Sequence, residues 1–165
     1  MYKKILVVVD EREVSQSAIG QGIALARVHR ADLLFFYVLP RYVFPSVDMV
    51  PVAEVTPDDF QRDSSQHASQ RLAAASALAE RAGVHSHRAM GSGPDDAHCV
   101  AEAATQRHCD LIVVATEEKN AVIRLLTGSI IPGLISAATV PLLICRAKTV
   151  RAPSPRLRVG HKPRT

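Results

Sequence analysis

The sequence predicts an α/β fold: a single doubly wound five-stranded parallel sheet, strand order 3-2-1-4-5, with helices on both faces. Three observations predict it. Four short runs, "KILVVVD" (4–10), "DLLFFYVLP" (32–40), "DLIVVAT" (110–116) and "PLLICR" (141–146), are nearly continuous in Val, Ile, Leu and Phe. A strand with one wet face alternates, whereas a strand covered on both faces, as in a parallel sheet, does not. Helical patterns separate these runs, giving the order βαβαβαβαβ and right-handed crossovers. The chain, 165 residues and 47% hydrophobic, is long enough to bury one sizeable core and too short for two ordinary domains.

The elements follow in order. After the first strand, Ile19, Ile23 and Ala26 share one helical face, with Ser15 or Ser17 as the expected N-cap. Gly20 and Gly22 inside that helix cost roughly 1 kcal/mol each relative to alanine, so both are expected to permit close packing on the sheet. The second strand leads into "RYVFPSVDMVPVAEV" (41–55), a long apolar loop expected either to pack over the sheet or to serve as a lid or partner surface. The next helix is marked at both ends: Thr56 caps it, Pro57 opens it, Asp58 and Asp59 suit its dipole, and Gly83 ends it. Its stripe Ala68, Leu72, Ala75, Ala79 faces the core. "VHSHRAM" (84–90) alternates, as an edge strand does. A third helix runs from Pro94-Asp95-Asp96 to about Arg107, and a fourth starts near Ser129 before the last strand.

In strand order 3-2-1-4-5 the topological switch falls between the first and fourth strands. Ligands of such sheets bind outside the carboxyl ends of the two strands that flank the switch. Here those ends are Asp10-Glu11 and Ala115-Thr116.

Charge and composition narrow the function. The net charge of +4 comes from the C-terminal segment 147–165, which holds six basic residues and no acids, leaving 14 basic against 16 acidic in residues 1–146. That segment has three prolines and no apolar periodicity, so it reads as a basic disordered tail. Its charges are spread and it has no aromatic ring to stack on bases, which argues against nucleic acid. No apolar run approaches the roughly 18 residues of a membrane span, and "MYKKILVVVDERE" lacks the pattern of a secretory signal, so a cytoplasmic protein is expected. Cys99, Cys109 and Cys145 form no CxxC pair and suit a reduced compartment as small buried apolar residues.

Little points to catalysis or metal. His98-Cys99 and His108-Cys109 fall near opposite ends of one helix, about 15 Å apart, and cannot share an ion. His85 and His87 lie on one face of the edge strand and read as a surface pair. No GxSxG elbow, P-loop or HExxH is present. Neither a metal site nor a catalytic residue is expected.

"KILVVVD", "FFYVLP", "GSGP", "DLIVVAT", "RLLTGSI" and "VPLLICR", in this order and with these gaps, resemble the universal stress protein family over residues 2–146. The resemblance implies the Rossmann-like sheet of the adenine nucleotide α-hydrolase type and a homodimer. It also implies a nucleotide site drawn from Asp10, Val38, Ala115, Glu118, Gly128, Ser129 and Ile130. Nucleotide-binding members carry Gly, two residues, Gly, nine residues, then Gly-Ser or Gly-Thr after the fourth strand, where backbone N–H groups and a helix N-terminus meet phosphate. In this sequence the first two glycine positions are Ala115 and Glu118, and only Gly128-Ser129 keeps the pattern. Glu11 replaces the small residue that usually follows the aspartate.

The departures share a sign. Asp10, Glu11 and Glu13 on one lip face Glu117 and Glu118 on the other, against Arg12 and Lys119. A phosphate charge about 4 Å from a carboxylate, at an effective dielectric near 20, is repelled by roughly 4 kcal/mol before solvent screening reduces it. The expectation is a non-catalytic stress-response module acting through dimerisation and partner contacts, its degenerate phosphate loop weakening or abolishing ATP binding. The alternative is an ATP-binding regulatory switch of the same fold, in which magnesium bridges Asp10 or Glu118 to the phosphates. An enzyme of the wider class is disfavoured, because "DEREVSQS" has neither the histidine pair nor the serine-glycine-rich loop such enzymes carry after the first strand. The homodimer is expected through the last strand, Pro141 to Arg146, whose bare apolar edge a second copy would cover.

Overall fold

The structure, a computed structural model, describes residues 1–42, 56–117 and 130–147. Its elements run β1 (Lys4–Val8), α1 (Ser15–His29), β2 (Asp32–Val38), α2 (Pro57–Arg81), β3 (Ser86–Gly91), α3 (Asp96–Gln106), β4 (Leu111–Glu117), α4 (Ile130–Ala137) and β5 (Leu142–Ala147). The sheet order is β3-β2-β1-β4-β5, all pairs parallel. This is the predicted topology, with the switch between β1 and β4.

The apolar runs read as they do because the sheet separates two cores. On one face Ile5, Val7 and Val9, with Leu33, Phe35, Leu111 and Val113, pack against Ala18, Ile19 and Ala26 of α1 and the predicted stripe Ala68, Leu72, Ala75 and Ala79 of α2. On the other face Leu6, Val8, Leu34, Phe36, Ile112 and Val114 meet Val100 and Ala104 of α3 and Leu134 of α4. Consecutive strand residues thus serve opposite cores. Burying each such apolar side chain contributes about 1.5–3 kcal/mol, which is why the central positions of these runs are apolar on both faces.

Helix boundaries show both success and correction. Thr56 caps α2 as predicted, its hydroxyl accepting from the Asp59 N–H at 3.2 Å. Beyond the helix end, Gly83 takes φ +71°, a conformation that favours glycine. In α1, however, neither Ser15 nor Ser17 is the N-cap. The cap position is Val14, without a side-chain bond. A tight turn precedes the helix, with N–H groups of Ser15, Gln16 and Ser17 bonded to carbonyls three residues back, so the first-turn donors are already satisfied. The buried Ser15 hydroxyl instead donates back to the carbonyls of Arg12 at 2.9 Å and Asp10 at 3.3 Å. Gly22 makes the expected close approach, since a Cβ there would lie 2.5 Å from Val7 Cγ2. Gly20 does not: it is exposed, with nothing within 4 Å of where its Cβ would be.

Of the apolar loop at 41–55, only Arg41 and Tyr42 fall among the described residues. Tyr42 meets Phe60 of α2 edge-to-face at 5.4 Å between ring centroids. Of the basic tail expected over 147–165, Ala147 instead ends β5, paired with Glu117, and 148–165 lie outside the described residues. Among the described residues, no helix is long and apolar enough to cross a membrane.

Candidate functional site

β1 and β4 are neighbours whose next helices, α1 and α4, pack on opposite faces of the sheet. The gap this opens at their carboxyl ends holds a crevice of about 470 Å³. Its walls come from the ends of β1 (Val8, Val9), β2 (Tyr37, Val38) and β4 (Val114, Ala115), from Asp10, Glu11, Arg12 and Pro40 in the loops, and from Asp96 and Ile130 at the starts of α3 and α4. Four of the residues the sequence nominated, Asp10, Val38, Ala115 and Ile130, therefore meet in one place. Glu118, Gly128 and Ser129 lie outside the described residues, as does the side chain of Glu117.

The charged lip is tied to its own surroundings. The Asp10 carboxylate accepts from the Arg12 backbone N–H at 3.0 Å and takes both Nε (2.8 Å) and Nη2 (2.5 Å) of the Arg12 guanidinium. Its backbone carbonyl accepts from Arg71 of α2, at 2.8 Å from Nη2 and 3.3 Å from Nε. Glu11 accepts from the Tyr37 hydroxyl at 3.3 Å and stands 3.3 Å from His67 Nδ1 of α2. Burial, reinforced by the Glu11 charge and the hydrogen bond to it, pushes the Tyr37 hydroxyl up to about 12, so it stays protonated as a donor. Two side chains of α2 thus hold the segment that follows β1.

Asp96 and Arg71 are among the contributors that went unrecognised in the sequence. Asp96 was legible only as part of a helix start. The structure makes Asp95 the cap, its Oδ1 accepting from Ala97 N at 2.8 Å, and leaves Asp96 on the crevice wall. The topology could have found it, because a helix crossing from β3 to β4 begins at the carboxyl end of the sheet. Arg71 lies 61 residues from its partner, and no local pattern announces such a contact. An adjoining hollow of about 290 Å³ shares Asp96 and Ile130 with the crevice and is also lined by Arg41.

The cysteines do not enter the site. Cys109 and Cys145 are buried and Cys99 is half-buried; all are free thiols. Burial raises all three, Cys109 to about 11, so they stay protonated and unreactive. His98 and His108 are both exposed, at opposite ends of α3.

A parallel sheet of order 3-2-1-4-5 with a crevice at its switch point is shared by many chains, and comparison with known proteins makes the assignment specific. The sequence profile of the Universal stress protein family matches residues 1–146. A universal stress protein of Methanocaldococcus jannaschii is 30% identical over 146 residues, covering 88% of this chain and 83% of the relative. Among solved structures, the universal stress protein UspA from Lactobacillus plantarum superposes with a TM-score of 0.70 at 22% identity, covering 88% of this chain and 98% of that one. A universal stress protein solved in complex with cAMP gives 0.63 at 22% identity, covering 87% and 96%. With the profile spanning both cores and both lips of the crevice, the chain belongs to the universal stress protein family.

Proposed function

We propose that the chain is a non-catalytic stress-response module that works through dimerisation and partner contacts, and whose crevice disfavours a nucleoside triphosphate. The observation that carries this reading is the charge of the wall: among the described residues, three carboxylates (Asp10, Glu11, Asp96) stand against one guanidinium, Arg12, already paired to Asp10. A polyphosphate entering the crevice meets uncompensated negative charge, and each like charge near 4 Å weighs up to a few kcal/mol before screening. The glycine positions of the family's phosphate loop, filled here by Ala115 and Glu118, add a steric cost where backbone would approach phosphate. A non-catalytic role is supported by the state of the polar groups: Tyr37 is held protonated, Asp10 is locked in an ion pair, and Glu11 is shared between Tyr37 and His67.

A second reading, an ATP-binding regulatory switch, is favoured by the crevice being open and apolar on its β2 and β4 side, where Val38, Val114, Ala115 and Ile130 could receive an adenine ring. Solved relatives of this fold hold nucleotides with a single phosphate: cAMP, dAMP in a protein from Archaeoglobus fulgidus, and AMP in one from Arabidopsis thaliana. Titration calorimetry with ATP, with and without magnesium, together with mass spectrometry of co-purifying small molecules, separates the two readings. The first predicts no bound triphosphate and little heat; micromolar ATP binding would establish the switch.

Dimerisation through the last strand is supported by the position of β5 at the sheet's end and by Ile144, which is 39% exposed there. Leu143 packs against the core, so a charge at that position would test folding as much as assembly. Ile144→Lys is the cleaner probe. It should yield monomers by light scattering with an unchanged circular dichroism spectrum, and a persistent dimer would place the interface elsewhere.

A further inference from the structure

At the opposite end of the sheet from the crevice, β2 and β3 bring together three exposed side chains with metal-ligating chemistry. Asp32 opens β2, His87 lies on β3, and His85 immediately precedes β3; their ligand atoms all fall within 4.8 Å of one another. We infer that Asp32, His85 and His87 form a binding site for a divalent late-transition-metal cation of the zinc class, clamping the edge strand β3 to β2.

The backbone fixes the arrangement. β2 and β3 pair in parallel with Leu33 opposite Ser86 and Leu34 opposite His87, and the Leu33 N–H bonds the His85 carbonyl at 3.0 Å. Ser86 faces α2, where its hydroxyl meets that of Ser76 at 2.8 Å. By the alternation of a strand, His85 and His87 lie on the other side, with Ala89, which packs into the core beneath α3. The helix covers that face only toward the carboxyl end, leaving the histidines open to solvent.

The spacing suits an ion. Zinc bonds of about 2.0–2.1 Å to nitrogen and oxygen in a tetrahedron place neighbouring ligand atoms roughly 3.3 Å apart. His85 Nδ1 and Asp32 Oδ1 already stand 3.3 Å apart. The His85 and His87 rings meet edge-to-face at 4.6 Å between centroids, and the His87 ligand nitrogen lies within 4.8 Å of the other two ligand atoms, a gap that binding would close by side-chain adjustment at the exposed edge. Two imidazoles and a carboxylate are borderline ligands, which favours zinc, nickel or copper over calcium or magnesium. The fourth position stays with water. Among the described residues this is the one grouping of three such ligands. The cysteines, protonated and at least half-buried, are poor competitors.

The test is calorimetric titration of the full chain with zinc chloride near neutral pH under reducing conditions, comparing wild type with His85→Ala, His87→Ala and the double variant. All three ligand positions are exposed, so the variants should keep the wild-type circular dichroism spectrum. The expected result is one zinc per chain, at least about tenfold weaker binding in each single variant, and loss of that site in the double variant. Zinc at about a hundredfold excess over its dissociation constant should also raise the melting temperature of the wild type and not of the double variant. Failure of the wild type to bind zinc would overturn the proposal and leave His85 and Asp32 as a simple surface contact. Equal binding by the double variant would overturn it too.

Discussion

The two walls of the crevice are built differently. The β2 and β4 side consists of strand ends, Val38, Val114 and Ala115, continued by Ile130 at the start of α4; their positions follow directly from the sheet register. The β1 side is a loop of charged residues held by long-range hydrogen bonds: Asp10 to Arg71, and Glu11 to Tyr37 with His67 alongside. Among the described residues the strand ends of the first wall carry no charge, and Asp96 at the start of α3 adds one carboxylate to the crevice; the second wall has charge and a dependence on α2. A ligand recognised by its apolar ring would use the first, and a ligand recognised by its phosphates must contend with the second.

The largest expected effect comes from cutting the charged wall loose. Arg71→Ala removes two charge-assisted hydrogen bonds to the Asp10 carbonyl and should cost about 2 kcal/mol of stability, read as a lower midpoint in urea unfolding. A change within error would mean that the β1 loop holds its place without α2. Next is the wall's charge. Glu11→Gln with Asp96→Asn removes two negative charges while keeping side-chain shape, and should strengthen ATP binding at least about tenfold, near 1.4 kcal/mol. Equal affinities before and after would show that the walls differ in chemistry without consequence for ligand choice.

The smallest effect concerns Tyr37. Its folded value is raised to about 12 against an ordinary value of 10.0. In the window between these values the unfolded chain has released the proton and the folded chain has not, so stability falls as pH rises through it. The contribution is fully present below pH 10 and is gone once the folded hydroxyl also ionises. Tyr37→Phe should remove the late step of a tyrosinate absorbance titration and should cost about 1 kcal/mol at neutral pH through the bond to Glu11. An unchanged late step would place the perturbed tyrosine elsewhere.

The same division governs what could be read in advance. The apolar wall was legible because it is made of strand ends: runs such as "DLIVVAT" locate the strand, the alternating elements give the order, and the order gives the crevice. Asp10 was legible for the same reason. Arg71 and His67 were not, because on α2 they fall among polar residues at a spacing indistinguishable from a solvated face, and their partners lie across the sheet end. Tyr37 was absorbed into a buried run, where its hydroxyl leaves no mark in hydrophobic periodicity. The start of α1 misled for a local reason: serines near a helix start signal a cap, but a preceding tight turn had already satisfied the donors. Gly20 and Gly22 look alike in sequence, and only the second faces Val7.

The central claim is that the charged wall, not the apolar one, limits what the crevice accepts. The most direct test is a paired calorimetric titration of AMP and ATP at low ionic strength without magnesium, since the two ligands share an adenine, a ribose and one phosphate and differ in the two further phosphoryl groups and their charge. AMP is predicted to bind at least about tenfold more tightly than ATP, with the gap narrowing as salt is added. ATP binding as tightly as AMP, or more tightly, would contradict the account.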